Sequence, residues 1–375
     1  KLNQFIFCLK FCSLEYFIMK NKMVWLFNFS SSFVGGGLVR TIETVKWFDN
    51  NYGAYFIIND KIKDEVSRYN KKNKYFFIPN NKIKRIFFDG YYIPEIIAEI
   101  GKPDIYFSYG IPVFNNIAKI NWLHISNALT LKTDKISLPL KPRVKMLILK
   151  KRIIESIKFT DIATGESEFS INLLKGEVNK RNLKCHYDVL PNGYDISLIE
   201  DVLNENREIL TKYAITIGTY KYKKIKIALK LFHQIRESYD LEKFVIVGPT
   251  NNLPKSILKD KFVEVQPNLP REDLFNLLYN AEYYISASQI ENSSNAALEA
   301  LLLSKKIILS NIPSHNEMIK NFKTKKIILK NYEFDFITLK NINSSKIDAI
   351  SWIDVSQKLF EIINDFKQTS KFISQ

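Results

Sequence analysis

Two glutamates stand eight positions apart in the segment Ile290–Ala300, IENSSNAALEA. Glu291 falls in a loop after a strand-like run, and Glu299 falls within a helix predicted to open near Asn295. Eight residues of helix rise ~12 Å, so the two carboxylates cannot meet on one substrate atom. They could flank the ends of an extended ligand whose middle rests at the helix N-terminus. Unpaired N–H groups and the positive end of the helix dipole make such a terminus suitable for a diphosphate. A carboxylate accepts two hydroxyl hydrogen bonds, which suits a ribose diol at one end and a sugar at the other. The plainer reading, a polar cap followed by an exposed helical Glu, stays open on spacing alone.

Other residues offer complementary chemistry. Gly35-Gly36-Gly37 could let backbone N–H groups approach a phosphate closely, or simply form a flexible turn. Lys224, with Lys221 and Lys223 just before it, could place positive charge near a departing phosphate. His124 closes an apolar run, WLHIS, where it is either a ligand contact or a satisfied core residue. His315 and Glu317 read as loop anchors, and His186 and His233 carry no argument. A metal is not expected. The chain contains no Asp-x-Asp, Cys8-x3-Cys12 lacks a second pair, and no His/Cys/carboxylate cluster has ligand spacing.

These residues must be positioned by a chain of 375 residues, long enough for two or three domains. An apolar fraction of 46% with 25% charge excludes a disordered chain. Three cysteines cannot staple a fold of this size and point to a reducing compartment. Lys and Arg outnumber Asp and Glu by 55 to 39, a formal charge of +16. That surplus attracts phosphate-bearing partners, or it reflects a coding bias, since only nine of the basic residues are Arg. The stretch Gln4–Phe17 is interrupted by Lys10 and Glu15, too short to span a bilayer and without a signal cleavage site. The expectation is that translation starts at Met19 or Met23, that 1–18 is an extension, and that the protein is cytoplasmic.

From Met23 onward strand-like and helix-like segments alternate, implying parallel sheets covered by helices. Strands are predicted at Met23–Phe29, Ala54–Ile58, Tyr75–Ile78, Ile86–Phe88, Ile105–Tyr109, Ile120–Ile125 and Asp161–Thr164. Helices are predicted over Leu38–Asn50 and Val144–Ile157. A Pro-Asn-Gly turn within Val189–Asp195 marks a boundary. The alternation then restarts, with strands at Tyr213–Gly218, Phe244–Gly248, Val263–Val265, Tyr283–Ala287 and Lys306–Ser310. Helices between them are predicted over Ile225–Tyr239, Arg271–Ala281 and Asn295–Leu303. Trp352, Val355, Leu359, Ile362 and Phe366 stripe a last helix. The expected domains are 19–193 and 194–350, followed by a last helix over 351–375. Two Rossmann-like halves with a hinge place ligands in the cleft between them.

Glu291-x7-Glu299 in this setting resembles the signature of glycosyltransferase family 4, whose members have the GT-B fold. Gly35–Gly37 matches the N-terminal glycine loop of that family, and Asn121–Leu129 (NWLHISNAL) resembles the segment bearing its active-site His. Glu166–Phe169 and Val189–Asp195 resemble the last N-domain strand and the hinge. Gly218 and Lys224 fall on its Gly-Arg…Lys pattern, and Ser310–Glu317 (SNIPSHNE) matches the segment after the next strand. The matches run from Met23 to about Phe366, and the GT-B resemblance implies that 351–375 packs back on the first domain. One departure is Thr219, which stands where the family usually has Arg and removes a bidentate phosphate contact. Lys221, Lys223 or Arg271 could substitute.

The resemblance implies retaining transfer of a sugar from a nucleotide-sugar to an acceptor hydroxyl, with no metal or other cofactor. It implies that His124 and Glu291 contact the sugar and that Lys224 stabilises the leaving diphosphate. Gly36, Gly37, Gly218, Thr219, Ser293, Ser294 and Asn295 would line the donor site, and Glu299 would bind the ribose. The acceptor it implies is a lipid-linked glycan in bacterial surface polysaccharide assembly (capsule, O-antigen). Lys145, Lys150, Lys151 and Arg152 beside Met146, Leu147 and Ile148 are compatible with contact to an anionic membrane at the inner face. Two rivals remain at this stage. One is a catalytically inactive GT-B subunit that binds a partner. The other is a nucleic-acid-binding protein, which the scattered lysines and missing recognition motifs disfavour.

Overall fold

The computed structural model describes residues 23–79, 88–133, 136, 138–181, 185–204, 211–267, 269–320, 325–327, 335–340 and 350–373. The expected extension 1–18 and most of the expected strand Ile86–Phe88 lie outside these residues; Phe88 itself opens a helix.

Seven strands form the N-terminal sheet: β1 (Trp25–Asn28), β2 (Tyr55–Asn59), β3 (Lys74–Ile78), β4 (Ile105–Tyr109), β5 (Ile120–Ile125), β6 (Ile162–Gly165) and β7 (His186–Val189). Their order is β3-β2-β1-β4-β5-β6-β7, and every neighbouring pair is parallel. Strands such as WLFN and INWLHI are buried along their whole length, as a sheet covered on both faces requires. The helices that cover it are α1 (Gly35–Asn51), α2 (Phe88–Ile100), α3 (Leu140–Ser156) and α4 (Glu168–Val178). One face packs an aromatic core of Trp25, Phe27, Phe48, Phe56, Phe107 and Trp122; the other packs Leu26, Ile57, Leu123, Ile153 and Leu174.

The second lobe repeats the plan with β8 (Tyr213–Ile217), β9 (Lys243–Val247), β10 (Val263–Gln266), β11 (Tyr283–Ser286), β12 (Lys306–Ser310), β13 (Lys325–Ile327) and β14 (Phe336–Lys340). Its order is β10-β9-β8-β11-β12-β14-β13. The pairs of β14 with β12 and β13 are antiparallel, which the alternation of the sequence did not indicate. Helices α5 (Ile196–Asn204), α6 (Ile225–Tyr239), α7 (Arg271–Asn280) and α8 (Asn295–Leu303) pack on it. In both sheets the strand order reverses at the centre, beside β1–β4 and β8–β11. The carboxyl ends there are where doubly wound sheets bind ligands.

The chain crosses between the lobes at 190–195 and returns at Ile350, whose carbonyl accepts from the Tyr194 N–H at 2.8 Å. Helix α9 (Trp352–Ile373) then lies against the first lobe. Phe360 of α9 meets Trp25 at 5.3 Å and Trp47 at 5.8 Å between ring centroids. At the crossing Gly193 lies so close to Trp352 that a Cβ would sit 2.7 Å from the Trp352 nitrogen.

The lobes touch across the cleft. Ser167 Oγ donates to the Asn292 carbonyl (2.8 Å), and Asn292 Nδ2 donates to the Ile125 carbonyl (2.9 Å). The Glu317 carboxylate accepts from the backbone N–H groups of Glu168 (2.8 Å) and Phe169 (3.0 Å), at the start of α4. Ile290 of the second lobe packs with Ala128, Leu129 and Ile136 of the first.

Candidate active site in the interlobe cleft

The strand β11 delivers the chain into the loop that carries Glu291. Ser288 Oγ donates to Glu291 Oε1 (2.6 Å), and Lys223 Nζ stands 2.6 Å from the same oxygen. Both charged side chains are nearly buried, so this pair is held in a low-dielectric setting. Lys223 comes from the short turn after β8. Gly218 has φ +90° there, and a Cβ on it would approach Lys223 Cε at 3.2 Å, so glycine serves both the turn and the lysine stem. Lys224 adopts a left-handed conformation, φ 49° and ψ 48°, and caps α6 by its backbone alone.

His315 lies beneath this pair and is fully buried. Its Nδ1 is 2.9 Å from the Ser310 carbonyl, which can only accept, so hydrogen bonding assigns the ring proton to Nδ1. Burial pushes its pKa down to about 4; Lys223 acts in the same direction and Glu291 against it.

At the other end of the segment Glu299 accepts from Arg271 Nη1 at 2.7 Å. Burial raises its pKa above the usual carboxylate value, and Arg271 opposes that rise. Ser294 caps α8 by accepting from the Ala297 N–H at 3.4 Å. Gly36 of α1 comes against Asn295, with a Cβ position 2.9 Å from Asn295 Nδ2. The glycine segment therefore meets the N-terminus of α8, and Asn192 Nδ2 reaches the Ser293 carbonyl at 3.4 Å. Gly37 lies on α1 beside Ser32 and Tyr109.

Two placements differ from the spacing argument. The cation set on Glu291 is Lys223, one residue before the lysine singled out by the sequence. Thr219 is buried and its hydroxyl donates to the Pro249 carbonyl at 2.9 Å, so its side chain braces the β8–β9 loops. Lys223 and Arg271, two of the cations that could replace the missing guanidinium, are each paired with one of the two glutamates.

The first lobe contributes a buried polar group around His124. His124 is the penultimate residue of β5, is fully buried, and stacks on Tyr109 at 5.1 Å with 11° between planes. Its Nδ1 is 2.9 Å from Thr164 Oγ1, and its Nε2 is 4.0 Å from Glu166 Oε1. Burial pushes the His124 pKa down to about 4, a shift that Glu166 opposes and Arg40 reinforces. Arg40 is itself buried and donates to the carbonyls of Leu190 (3.2 Å) and Pro191 (2.7 Å) and to Asn192 Oδ1 (2.9 Å), all in the crossing segment. The sequence reading overlooked Arg40, Tyr109 and Glu166 as site residues. For Glu166 the available signal was an acidic residue directly after an apolar strand.

Residues 204–337 match the family model of glycosyl transferases group 1. That segment holds Gly218, Lys223, Arg271, Glu291 and Glu299. No curated protein matches the chain. Among solved structures, a glycosyltransferase from Rickettsia africae is similar with a TM-score of 0.58 and 16% identity, covering 92% of this chain and 94% of its own. The Anabaena protein HepE, solved with UDP and glucose, gives 0.57 and 14%, covering 94% and 99%. A trehalose 6-phosphate synthase from Burkholderia multivorans gives 0.60 and 8%, covering 94% and 100%. At these identities the likeness concerns the fold, and the fold is GT-B. Among the described residues no group of three or more His, Cys, Asp or Glu side chains is placed to hold a metal ion. No described helix is long and apolar enough to cross a membrane.

Proposed function

We propose that the chain is a metal-independent retaining glycosyltransferase that moves a sugar from a nucleotide-sugar to an acceptor hydroxyl. The observation that carries this reading is the two ion pairs, nearly buried Lys223–Glu291 and half-buried Arg271–Glu299, set along a segment whose middle is the N-terminus of α8. The match of that segment to glycosyl transferases group 1 and the UDP-glucose complex of HepE support a nucleotide-sugar as donor.

In this reading the diphosphate lies at the N-terminus of α8, with Gly36 and Gly37 opposite. Glu299 holds the ribose, and Glu291 holds a hydroxyl of the sugar. Lys223 offsets charge as the phosphate leaves, assisted by Lys224, and should supply the largest single electrostatic term. The acceptor proton passes to the leaving phosphate oxygen on the same face, so no protein nucleophile is required. The inward Thr219 favours the second reading, a GT-B subunit that binds without turnover.

The deciding experiment incubates purified protein with UDP-, GDP- and ADP-sugars in EDTA and measures transfer or donor hydrolysis. Turnover of one donor class is expected, falling by about 10²–10³-fold in Lys223→Ala and Glu291→Ala. A wild type as inert as both variants across the panel would establish the binding subunit. Activity lost in EDTA and restored by magnesium would overturn metal independence.

For the acceptor we infer a lipid-linked glycan of bacterial surface polysaccharide, reached from the cytoplasmic face. Leu140, Val144, Leu147 and Ile148 of α3 are exposed beside exposed Lys141, Arg143 and Lys145. Such a face suits an anionic bilayer surface. Lys150 and Arg152 point the other way, towards Glu177 (3.3 Å) and the Phe114 ring (4.7 Å). Co-sedimentation with anionic but not neutral vesicles is expected; equal recovery with both would remove the membrane contact.

A further inference from the structure

Glu166 occupies a position in the cleft that no motif of the sequence assigns. It follows β6 and precedes Ser167, whose hydroxyl crosses the gap to the Asn292 carbonyl. Glu291 likewise stands one residue ahead of Asn292. The two glutamates thus flank one interlobe contact, one from each lobe.

Glu166 Oε1 accepts from the Tyr109 hydroxyl at 2.9 Å and lies 4.0 Å from His124 Nε2. Thr164 Oγ1 already accepts from Trp122 Nε1–H at 2.8 Å, so its own hydrogen is available to His124 Nδ1. His124 Nε2 is the ring nitrogen that faces Glu166. That nitrogen is buried and makes no hydrogen bond, and Glu166 Oε2 makes none among the described residues. Glu166 Oε2 is therefore available to accept from a ligand hydroxyl, as a carboxylate oxygen without a protein partner can. Within the group His124 and Thr164 are fully buried and Tyr109 is 4% exposed, whereas Glu166, next to the interlobe contact of Ser167, is the most exposed member at 8%.

We propose that Glu166 binds a hydroxyl of the transferred sugar, opposite Glu291, and that Tyr109 and His124 are positioning residues that hold its carboxylate. The ligand class is a polyol ring able to donate a hydroxyl hydrogen to Oε2; this assignment rests on the glycosyltransferase reading above. Because His124 has no exposed surface, the sugar contact implied for it by family resemblance passes to Glu166.

The test is calorimetric binding by the full chain of UDP, GDP and ADP and of UDP-glucose, GDP-mannose and ADP-glucose. The quantity read is the affinity for a nucleotide-sugar relative to its bare nucleotide. Glu166→Gln and Glu166→Ala should lower that ratio by about tenfold or more, the loss of a charged hydrogen bond, and leave the bare nucleotide within twofold. Tyr109→Phe should lower it less. If Glu166→Ala does not fold, the isosteric Gln variant carries the test. A ratio unchanged in the variants overturns the assignment and leaves the parent reading standing. An equal loss for nucleotide and nucleotide-sugar makes Glu166 merely structural and also overturns it. A wild type that binds none of the six compounds overturns both.

Discussion

Lys223 ends the 3-10 turn Lys221–Lys223 and reaches Glu291, and directly after it the backbone switches to the left-handed region at Lys224. Spacing along the sequence identified the lysine cluster, but which member pairs with Glu291 depends on that local backbone conformation. The two glutamates were legible because their separation on a loop and a helix leaves few arrangements. His124 was legible as a core residue or ligand contact and His315 as a loop anchor; both are fully buried, and their burial has a consequence for stability. Each has a folded pKa pushed down to about 4, against an ordinary value of 6.5. Between those values the unfolded chain takes up protons that the folded one does not, so stability is full above pH 6.5 and is lost as pH falls. Each histidine should cost on the order of 2 kcal/mol between pH 7.5 and 5. Urea midpoints of wild type and His315→Asn at the two pH values check this. A variant with the same acid drop as wild type would contradict it.

Among the elements, α9 shows what periodicity conveys and what it leaves out. The stripe Trp352, Val355, Leu359, Ile362 and Phe366 marks a buried face, but an amphipathic pattern does not name the surface it covers. Resemblance to a family supplied the expectation that the helix returns to the first lobe, and the packing of Phe360 on Trp25 and Trp47 provides the physical reason. The strand β7 (HYDV) escaped notice because it is short and only half buried, without an apolar run. The antiparallel β13 and β14 escaped because a hairpin at a sheet edge leaves little mark on a strand–helix alternation. The docking of α9 depends on Gly193. A methyl there would meet the Trp352 nitrogen at 2.7 Å and its Cα at 2.8 Å, backbone atoms that cannot swing aside. Gly193→Ala should therefore destabilise the protein by about 1–3 kcal/mol, as overpacking does. A chemical denaturation midpoint equal to wild type would show that the crossing can relax.

At the scale of the whole molecule, the lobes are held together by a few polar contacts around a small apolar cluster. Glu317 is central: its carboxylate receives two N–H groups at the positive end of α4. The expected role of Glu317 as a loop anchor thus becomes a contact between lobes. Glu317→Ala should let the cleft open, giving a larger radius of gyration by small-angle scattering without donor and a return towards the wild-type value with it. Superimposable profiles for variant and wild type would mean that the remaining contacts suffice.

The return of α9 also sets an order of events during synthesis. The aromatic core of the first lobe is built from Trp25, Phe27 and Phe48, encoded near the start, yet it is closed by Phe360, Ile362 and Ile363 near the end. While the ribosome still holds residue 350, that core lacks its covering helix, so a nascent chain stalled there leaves a hydrophobic face to chaperones. Maturation of the first lobe must wait for α9 to emerge.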